Sequence, residues 1–229
     1  MELTSVAAVA KMIDHSLLSP SLTDQALLEG IETAKKAKVA SVCIKPYFVS
    51  KAVQILEFSG VAVGTVVGFP HGANRTAVKI MEAHQAIQNG ATELDMVVNI
   101  GKVLSEDWLY VESDIRGVVN VCKADLAVCK VIFENCYLQD HHKIKLCQIC
   151  EKVEADFVKT STGYGSGGAT NEDVKLMRSN VGPKVQVKAA GGIRTLDRLL
   201  EMAALGATRV GATATEAILQ EAAIRFKSL

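Results

Sequence analysis

The chain has no excess of charge of either sign. Its 25 lysines and arginines are balanced by 25 aspartates and glutamates, and its isoelectric point is about 7.0. Domains that bind nucleic acid or anionic membranes mainly through electrostatics carry a surplus of basic residues. The charge balance therefore argues against nucleic acid or a membrane as the main partner.

Long hydrophobic runs are also missing. Although 49% of the 229 residues are hydrophobic, no run approaches the roughly 20 apolar residues that a membrane-spanning helix needs. Residues 1–4 lack the basic start of a secretory signal peptide, so we expect a cytoplasmic protein. No proline- or serine-rich linker, charge block or low-complexity run divides the sequence, and we predict a single domain over residues 1–229.

Cysteines are few, six in all, which is typical of reduced thiols rather than of a disulfide framework. Cys147 and Cys150 have the spacing of a redox motif or a zinc knuckle. Their apolar neighbours Ile144, Leu146 and Ile149 are spaced as in a helix. We interpret both cysteines as small hydrophobic residues in a helix.

Apolar runs of strand length recur roughly every 25 to 30 residues and alternate with segments of helical spacing. Thr170 and Asp173 predict a capping box at the start of one helix, and Gly90 and Gly206 mark the ends of two others. The eight predicted strands cover residues 12–17, 40–45, 61–69, 93–99, 126–134, 156–161, 184–189 and 209–214.

Strict alternation of strand and helix predicts parallel strands joined by helical crossovers, in a barrel or in an open doubly wound sheet. An open dinucleotide-binding sheet typically has G-x-G-x-x-G after an early strand, and no such motif follows residues 13–17. Eight strands in this length favour a closed (β/α)8 TIM barrel. In that fold the chemistry lies at the C-terminal ends of the strands and in the loops that follow them.

Two predicted strands carry a lysine near their ends. Lys159 precedes a hydroxyl- and glycine-rich segment, and Lys188 stands shortly before Gly191-Gly192, about one βα unit later. A free lysine with a pKa of about 10.4 is protonated at neutral pH and cannot attack a carbonyl carbon. Two ammonium groups at neighbouring strand ends lower each other's pKa, which predicts an amine able to form a Schiff base.

A carboxylate, Asp95, is embedded in the apolar residues 93–99. It needs a partner there, because burying an unpaired charge is costly. With two lysines expected in the same barrel, a role in proton transfer is favoured over a structural ion pair.

Glycines lie near the C-terminal ends of the last three predicted strands: Gly163 and Gly191-Gly192 follow two of them, and Gly211 lies within the last. The loops after late barrel strands often hold a phosphate on backbone N–H groups, and small residues let the backbone approach the anion. We therefore expect a phosphate group on the substrate.

Five stretches resemble the deoxyribose-phosphate aldolase family, class I aldolases built on a (β/α)8 barrel: GFPHGAN (68–74), ELDMVVNIG (93–101), KVIFE (130–134), FVKTSTGYGSGGAT (157–170) and VKAAGGIRT (187–195). The resemblance extends from residue 13 to residue 211. It implies reversible cleavage of 2-deoxy-D-ribose 5-phosphate to D-glyceraldehyde 3-phosphate and acetaldehyde, in deoxyribose and deoxyribonucleotide catabolism. It also implies that no metal or organic cofactor takes part and that the chain forms a homodimer.

By this resemblance, Lys159 is the Schiff-base nucleophile, and Lys188 lowers its pKa and shares in proton transfer. Asp95 is the acid/base group acting through a water, and Lys130 contacts substrate at most. The full set of implied substrate-binding residues is Lys130, Thr162, Gly163, Gly191, Gly192, Gly211 and Thr213.

The sequence departs from the family pattern at several positions. Residues 211–214 read Gly-Ala-Thr-Ala where Gly-x-Ser-Ser is common, which leaves one hydroxyl, on Thr213, drops the other at Ala214 and predicts weaker phosphate binding. Lys45 stands where a neutral residue is common, and it either tunes substrate preference or is solvated. Ser16 and Asn135 stand where threonine is usual.

Other functions remain open at this stage. A different phosphosugar aldolase or isomerase would share the barrel and the glycine loops. A metal-dependent enzyme would need histidines and a carboxylate converging on a divalent ion, whereas a non-catalytic phosphometabolite-binding barrel would not need the lysine pair. The available histidines are His15, His71, His84, His141 and His142, most of which we interpret as structural or solvated.

Overall fold

The computed structural model describes residues 3–227, and in it eight parallel strands close into a barrel in the order of the chain. The predicted (β/α)8 TIM barrel is confirmed, and each predicted strand overlaps an observed one. The strands are β1 (Ile13–Leu17), β2 (Ser41–Ile44), β3 (Ala62–Val67), β4 (Glu93–Val97), β5 (Val128–Ile132), β6 (Phe157–Lys159), β7 (Gln186–Ala190) and β8 (Ala207–Ala212).

Helices separate successive strands and surround the barrel. Short 3₁₀ turns, Pro46–Phe48 and Asn135–Tyr137, follow β2 and β5. Within residues 3–227, no helix is both long and apolar enough to cross a lipid bilayer. The helices are α1 (Val6–Ala10), α2 (Asp24–Ala37), α3 (Val49–Leu56), α4 (Thr76–Gln88), α5 (Ile100–Leu104), α6 (Trp108–Ala124), α7 (Asp140–Val153), α8 (Asn171–Ser179), α9 (Leu196–Ala204) and α10 (Thr215–Lys227).

Helix ends follow the predicted pattern with one difference. The Thr170 hydroxyl accepts a hydrogen bond from the Asp173 N–H at 3.0 Å, as a capping residue of α8 does. The Asp173 carboxylate does not complete the predicted capping box; it pairs instead with Lys143 Nζ of α7 at 2.7 Å. Gly90 and Gly206 end helices with φ of 96° and 103°, which a residue with a side chain rarely adopts.

The last strand lies two residues earlier than predicted, at Ala207–Ala212 rather than at residues 209–214. Gly206 ends the turn after α9, so the chain is extended from Ala207 onward. The Ala214 carbonyl already accepts the first hydrogen bond of α10, from the Ile218 N–H at 3.1 Å. Residues 213 and 214 therefore form the loop between β8 and α10.

The apolar core lies between the barrel and the helices, while polar side chains occupy the barrel interior. In β1, Asp14 points into the barrel, and its neighbour His15 points outward to Thr215 of α10, with His15 Nδ1 2.7 Å from Thr215 Oγ1. Strand side chains alternate between the two faces. The same alternation directs Glu93 and Asp95 of β4 inward.

A buried ion pair in the helix layer supports the strand that carries Asp95. Lys79 Nζ of α4 lies 2.6 Å from Asp114 Oδ2 of α6, and both side chains are buried. Lys79 also donates to the carbonyl of Val97, the last residue of β4, at 2.8 Å. These contacts fix the C-terminal end of β4 against two helices.

Cys147 and Cys150 lie on α7 and are buried, in agreement with the helical interpretation. Burial raises the pKa of the Cys147 thiol to about 12, whereas reactive cysteines have a lowered pKa. Of the six cysteines, only Cys136 is exposed.

Candidate active site

Lys159, Lys188 and Asp95 meet inside the barrel. The Nζ atoms of both lysines lie 2.7 Å from the same carboxylate oxygen, Asp95 Oδ2. Lys159 and Lys188 are directly paired residues of β6 and β7, so their side chains leave the sheet side by side. The three residues that the sequence predicts to act together are therefore in direct contact.

A second row of charged groups lies around these three residues. Lys130 Nζ lies 2.7 Å from Asp95 Oδ1 and 2.7 Å from Glu93 Oε2. Lys188 Nζ lies 2.6 Å from Asp14 Oδ2. Arg209 contacts Asp14 and also Glu93, the latter with its Nη2 atom 3.1 Å from Glu93 Oε1.

Sequence reasoning missed Asp14, Glu93 and Arg209 as parts of the site. The information that identified Asp95 also marked Asp14, because both are carboxylates inside an apolar strand. The sequence indicated a role for Arg209 less clearly than one for Asp14, since an arginine at the start of a predicted strand is usually exposed.

The electrostatics distinguish the two lysines. Burial lowers the pKa of Lys159, and the charge of Lys188 lowers it further, against the opposing effect of Asp95. Burial acts in the same direction on Lys188, but the carboxylates of Asp14 and Asp95 outweigh it and raise its pKa. The expected mutual lowering thus applies to Lys159 alone, because Lys188 has an additional carboxylate partner.

Asp95 and Lys130 are fixed in their charged forms. Burial by itself would raise the pKa of Asp95, but Lys130, Lys159 and Lys188 hold it well below its ordinary value. Burial likewise opposes the charged form of Lys130, yet its carboxylate partners raise its pKa well above the ordinary value. An ionised carboxylate, Asp95, therefore lies against Lys159, and an ionised Lys130 lies against Asp95.

Lys130 lies beneath the pocket instead of lining it. Its side chain is buried, and its Nζ atom is bonded to carboxylates of β4. The residue next to Asp95 in the sheet therefore points into the ionic cluster, and a contact between Lys130 and the substrate stays a prediction.

A pocket of about 180 Å³ opens at the C-terminal ends of the strands, and Lys159 and Lys188 line its floor. Its walls come from β1, β2 and the loops after β6, β7 and β8. Six of the predicted substrate-binding residues line it: Thr162, Gly163, Gly191, Gly192, Gly211 and Thr213.

Backbone conformation and close packing require glycine at two positions of this pocket. Gly191 has a φ of 83°, and a Cβ atom there would meet the Gly168 Cα at 2.8 Å. Gly192 has a φ of 81° but open space around it, so its backbone conformation alone favours glycine. The loops after β6 and β7 are consequently in close backbone contact.

Thr162 is held by a buried carboxylate. Its hydroxyl donates to Glu134 Oε2, and its backbone N–H donates to Glu134 Oε1 at 3.1 Å. The same hydroxyl accepts from the Tyr164 N–H at 2.9 Å. Thr162, which lines the pocket, therefore stabilises the conformation of the loop after β6.

Arg194 is a pocket residue that the sequence analysis did not assign. It follows Gly191-Gly192 in the loop after β7, is exposed, and lines the same pocket. A guanidinium beside glycine loops is well suited to bind a phosphate. Its place two residues after the glycine pair was the available indication.

Lys45 has a defined position in the structure. It is half-buried, and its Nζ atom donates to the carbonyl of Leu22 at 2.9 Å and to that of Pro20 at 3.4 Å. These carbonyls belong to the loop after β1, near Leu18, which lines the pocket. Lys45 is thus a support of this loop and does not itself line the pocket.

Within residues 3–227, one group of side chains is close enough together to hold a metal ion: Glu106, His141 and His142. None of the three lines the lysine pocket. His142 Nδ1 also accepts a hydrogen bond from the Gln139 N–H at 3.2 Å at the start of α7. The histidine and carboxylate set that a metal-dependent aldolase would require is therefore not at the lysine pocket.

Comparisons with known proteins agree with this geometry. The sequence-family model of the DeoC/LacD family aldolases matches residues 8–221. A deoxyribose-phosphate aldolase from Rhodopirellula baltica is 56% identical over 93% of this chain and 89% of its own length. One from Caldanaerobacter subterraneus subsp. tengcongensis is 49% identical over 95% and 94%.

Solved structures give the same result. A deoxyribose-phosphate aldolase from Aeropyrum pernix, described as having a unique tetrameric structure, superimposes with a TM-score of 0.88 at 32% identity, covering 95% of this chain and 92% of that one. Residues 8–221, which the family model matches, include every strand of the barrel and all residues that line the lysine pocket. This chain belongs to the DeoC/LacD aldolase family.

Proposed function

We propose that this enzyme, a carbon–carbon lyase, reversibly cleaves 2-deoxy-D-ribose 5-phosphate to D-glyceraldehyde 3-phosphate and acetaldehyde through a Schiff base on Lys159. One observation carries the proposal: Lys159, whose pKa is lowered, lines a pocket whose other wall consists of glycine loops and Arg194. Relatives that share 47–56% of their residues with this chain are named for this substrate.

The reaction begins at the aldehyde carbon of the open-chain sugar. The lone pair on Lys159 Nζ forms the new C–N bond, and the carbonyl oxygen takes up a proton to give a carbinolamine. Loss of that hydroxyl as water leaves an iminium ion, which serves as the electron sink for the next step. Lys188, within reach of the same Asp95 oxygen, supplies the protons.

Carbon–carbon cleavage follows at the bond between C2 and C3. A base removes the proton from the C3 hydroxyl, C3 becomes the aldehyde carbon of glyceraldehyde 3-phosphate, and the bonding electrons reach the iminium nitrogen to give an enamine. Protonation of the enamine at C2 and addition of water to the resulting iminium release acetaldehyde. Lys159 then returns to a free amine.

Asp95 connects the two lysines during these proton transfers. Its Oδ2 atom accepts hydrogen bonds from both Nζ atoms at 2.7 Å. Because its pKa is held well below the ordinary value, Asp95 stays ionised and holds both amines in place. Our proposal for its acid/base role is the one that the family resemblance implies, in which its carboxylate orients a water that exchanges protons with the reacting groups.

The phosphate of the substrate is assigned to the opposite wall of the pocket. Backbone N–H groups of Gly191, Gly192 and the residues after Gly211 are available there, with Arg194 and Thr213 beside them. Ala214 provides no hydroxyl, so we expect weaker phosphate binding than in relatives with two serines in this loop.

Borohydride trapping tests the proposal. Incubation of the enzyme with 2-deoxyribose 5-phosphate and borohydride should inactivate it and add the mass of a reduced acetaldehyde or sugar adduct to Lys159. The Lys159→Arg variant should be neither labelled nor active, because arginine forms no imine at accessible pH. Labelling at another lysine would contradict the assignment.

A coupled assay discriminates the competing functions. Activity on 2-deoxyribose 5-phosphate well above that on 2-deoxyribose supports both the chemistry and the phosphate site. Loss of activity with a chelator, in the absence of any trapping, would favour a metal-dependent enzyme. Equal release of acetaldehyde by wild type and Lys159→Arg would contradict the Schiff-base scheme.

The proposal includes a cytoplasmic homodimer in which residues 1–229 form a single catalytic domain. The homodimer is implied by the family resemblance, although the Aeropyrum pernix relative is described as a tetramer. Light scattering coupled to gel filtration distinguishes the two, since a dimer has twice and a tetramer four times the mass of the 24.5 kDa chain.

A further inference from the structure

Arg209 of β8 belongs to the ionic cluster but not to the pocket. Its guanidinium contacts Asp14 and lies 3.1 Å and 3.3 Å from the two oxygens of Glu93, and its side chain is 15% exposed. It does not line the pocket in which Lys159 lies. Its effect on the reaction can only be exerted through other residues.

The cluster has one more cation than it has carboxylates when every group is ionised. The three carboxylates are Asp14, Glu93 and Asp95, and the four basic groups are Lys130, Lys159, Lys188 and Arg209. Unbalanced charge in a buried site is costly, so a group that can lose a proton tends to do so. An arginine does not deprotonate in a protein, and the loss falls to a lysine.

The contacts show which lysine is held least strongly. Lys130 Nζ has three carboxylates within 4 Å, at 2.7, 2.7 and 3.8 Å. Lys188 Nζ has two, at 2.6 and 2.7 Å. Within residues 3–227, Lys159 Nζ has one, Asp95, at 2.7 Å. The proton is therefore lost most easily from Lys159.

We propose that Arg209 is a positioning residue that sets the protonation state of Lys159, by supplying the fourth buried cation and by holding Asp14 and Glu93 away from Lys159. This inference deepens the proposed function and rests on Lys159 being its nucleophile. Without Arg209, the remaining three lysines would balance the three carboxylates, and Lys159 would keep its proton.

Asp95 and Lys188 act directly on Lys159, and the lowered pKa of Lys159 agrees with the charge balance. The Cys43 thiol also faces Lys159 but adds no charge at neutral pH, because burial raises its pKa to about 11. The elements that carry the charged and titratable groups are β1 with Asp14, β2 with Cys43, β4 with Glu93 and Asp95, β5 with Lys130, β7 with Lys188 and β8 with Arg209.

The test is the pH profile of kcat/KM, whose acidic limb reports the pKa of the free-enzyme amine. Arg209→Met removes one cation and should move this limb upward by about one pH unit, a tenfold loss of kcat/KM on the acidic side. Arg209→Lys keeps the charge and should move it much less. Arg116→Met, at a half-buried arginine of α6 that pairs with Glu112, is the matched control and should leave the limb in place.

A second substitution separates charge from structure. Glu93→Gln alone should move the limb downward, since it removes a carboxylate. The double variant Arg209→Met with Glu93→Gln restores the single excess cation, so its limb should return toward that of wild type. A merely structural role for Arg209 would instead make the double variant worse than either single one.

Failure of this inference can be told from failure of the proposed function. If borohydride labels Lys159 in wild type but the limb of Arg209→Met coincides with that of wild type, the role of Arg209 is overturned. The role of Arg209 is also overturned if Glu93→Gln moves the limb upward or leaves it in place. This second measurement decides the question if Arg209→Met does not fold. If wild type itself is not labelled at Lys159, the proposed function fails instead.

Discussion

Lys159 and Lys188 share one oxygen atom: each Nζ lies 2.7 Å from Asp95 Oδ2. The two lysines are paired residues on adjacent strands, yet their environments are opposite in effect. Lys188 has a second carboxylate partner in Asp14 at 2.6 Å, whereas Lys159 has no second one among the residues that the structure describes. In the proposed function, this difference makes Lys159 the nucleophile and Lys188 the proton carrier.

Replacing Lys188 should affect two properties that can be separated. Lys188→Met removes both the charge that lowers the pKa of Lys159 and the proton carrier, so we expect kcat to fall by about 10²- to 10⁴-fold. The acidic limb of kcat/KM should also rise by about one pH unit. Lys188→Arg should keep the limb near its wild-type position while kcat remains low, because arginine retains its proton. A variant with unchanged kcat would exclude Lys188 from proton transfer.

Arg194 should matter for the phosphate and not for the chemistry. Arg194→Met should raise KM for 2-deoxyribose 5-phosphate about tenfold, the effect of losing about 1.4 kcal/mol of binding. Activity on unphosphorylated 2-deoxyribose should change little. Ala214→Ser, which adds the hydroxyl missing from this loop, should lower KM for the phosphorylated substrate only. Equal effects on both sugars would remove Arg194 from the phosphate site.

Two neighbouring glycines should differ in their tolerance of alanine. Gly192→Ala meets open space and costs only the unfavourable φ, about 1–2 kcal/mol of unfolding free energy. Gly191→Ala has the same conformational cost and in addition a contact at 2.8 Å with the backbone of Gly168, so we expect a larger loss. Urea unfolding of both variants measures the difference. A Gly191→Ala variant as stable as Gly192→Ala would show that the loop after β6 yields freely.

The stability of the fold should depend on pH through His15. Burial lowers the pKa of His15 to about 4 from 6.5, so between these values the unfolded chain binds a proton that the folded chain does not. Above pH 6.5 His15 is neutral in both states and does not reduce the free energy of unfolding. As the pH falls from 6.5 toward 4, protonation of the unfolded chain lowers the free energy of unfolding by up to about 3 kcal/mol.

Urea unfolding at several pH values measures this effect. His15→Gln does not titrate and retains a polar partner for Thr215, so its stability should fall less steeply between pH 6.5 and 4. Parallel curves for wild type and variant would show that His15 accepts its proton without loss of structure.

Much of the site could be predicted because its residues lie in local patterns. Lys159 and Lys188 stand near strand ends before glycine loops, and these loops do line the pocket. The burial of Lys130 beneath the pocket could not be predicted, because a strand sequence does not show how deep in a barrel a side chain lies. Arg194 was missed because an arginine after a turn is ordinarily solvated.

The sequence by itself determined the alternation of strands and helices, the glycine turns and the lysines at the strand ends, since periodicity and backbone preference act over a few residues. Only the tertiary structure decided which of the two lysines has a lowered pKa. That choice depends on charges brought together from distant parts of the chain, such as Arg209 and Asp14, which are 195 positions apart. A pKa is set by distance in space and by burial, and neither is determined by spacing along the chain.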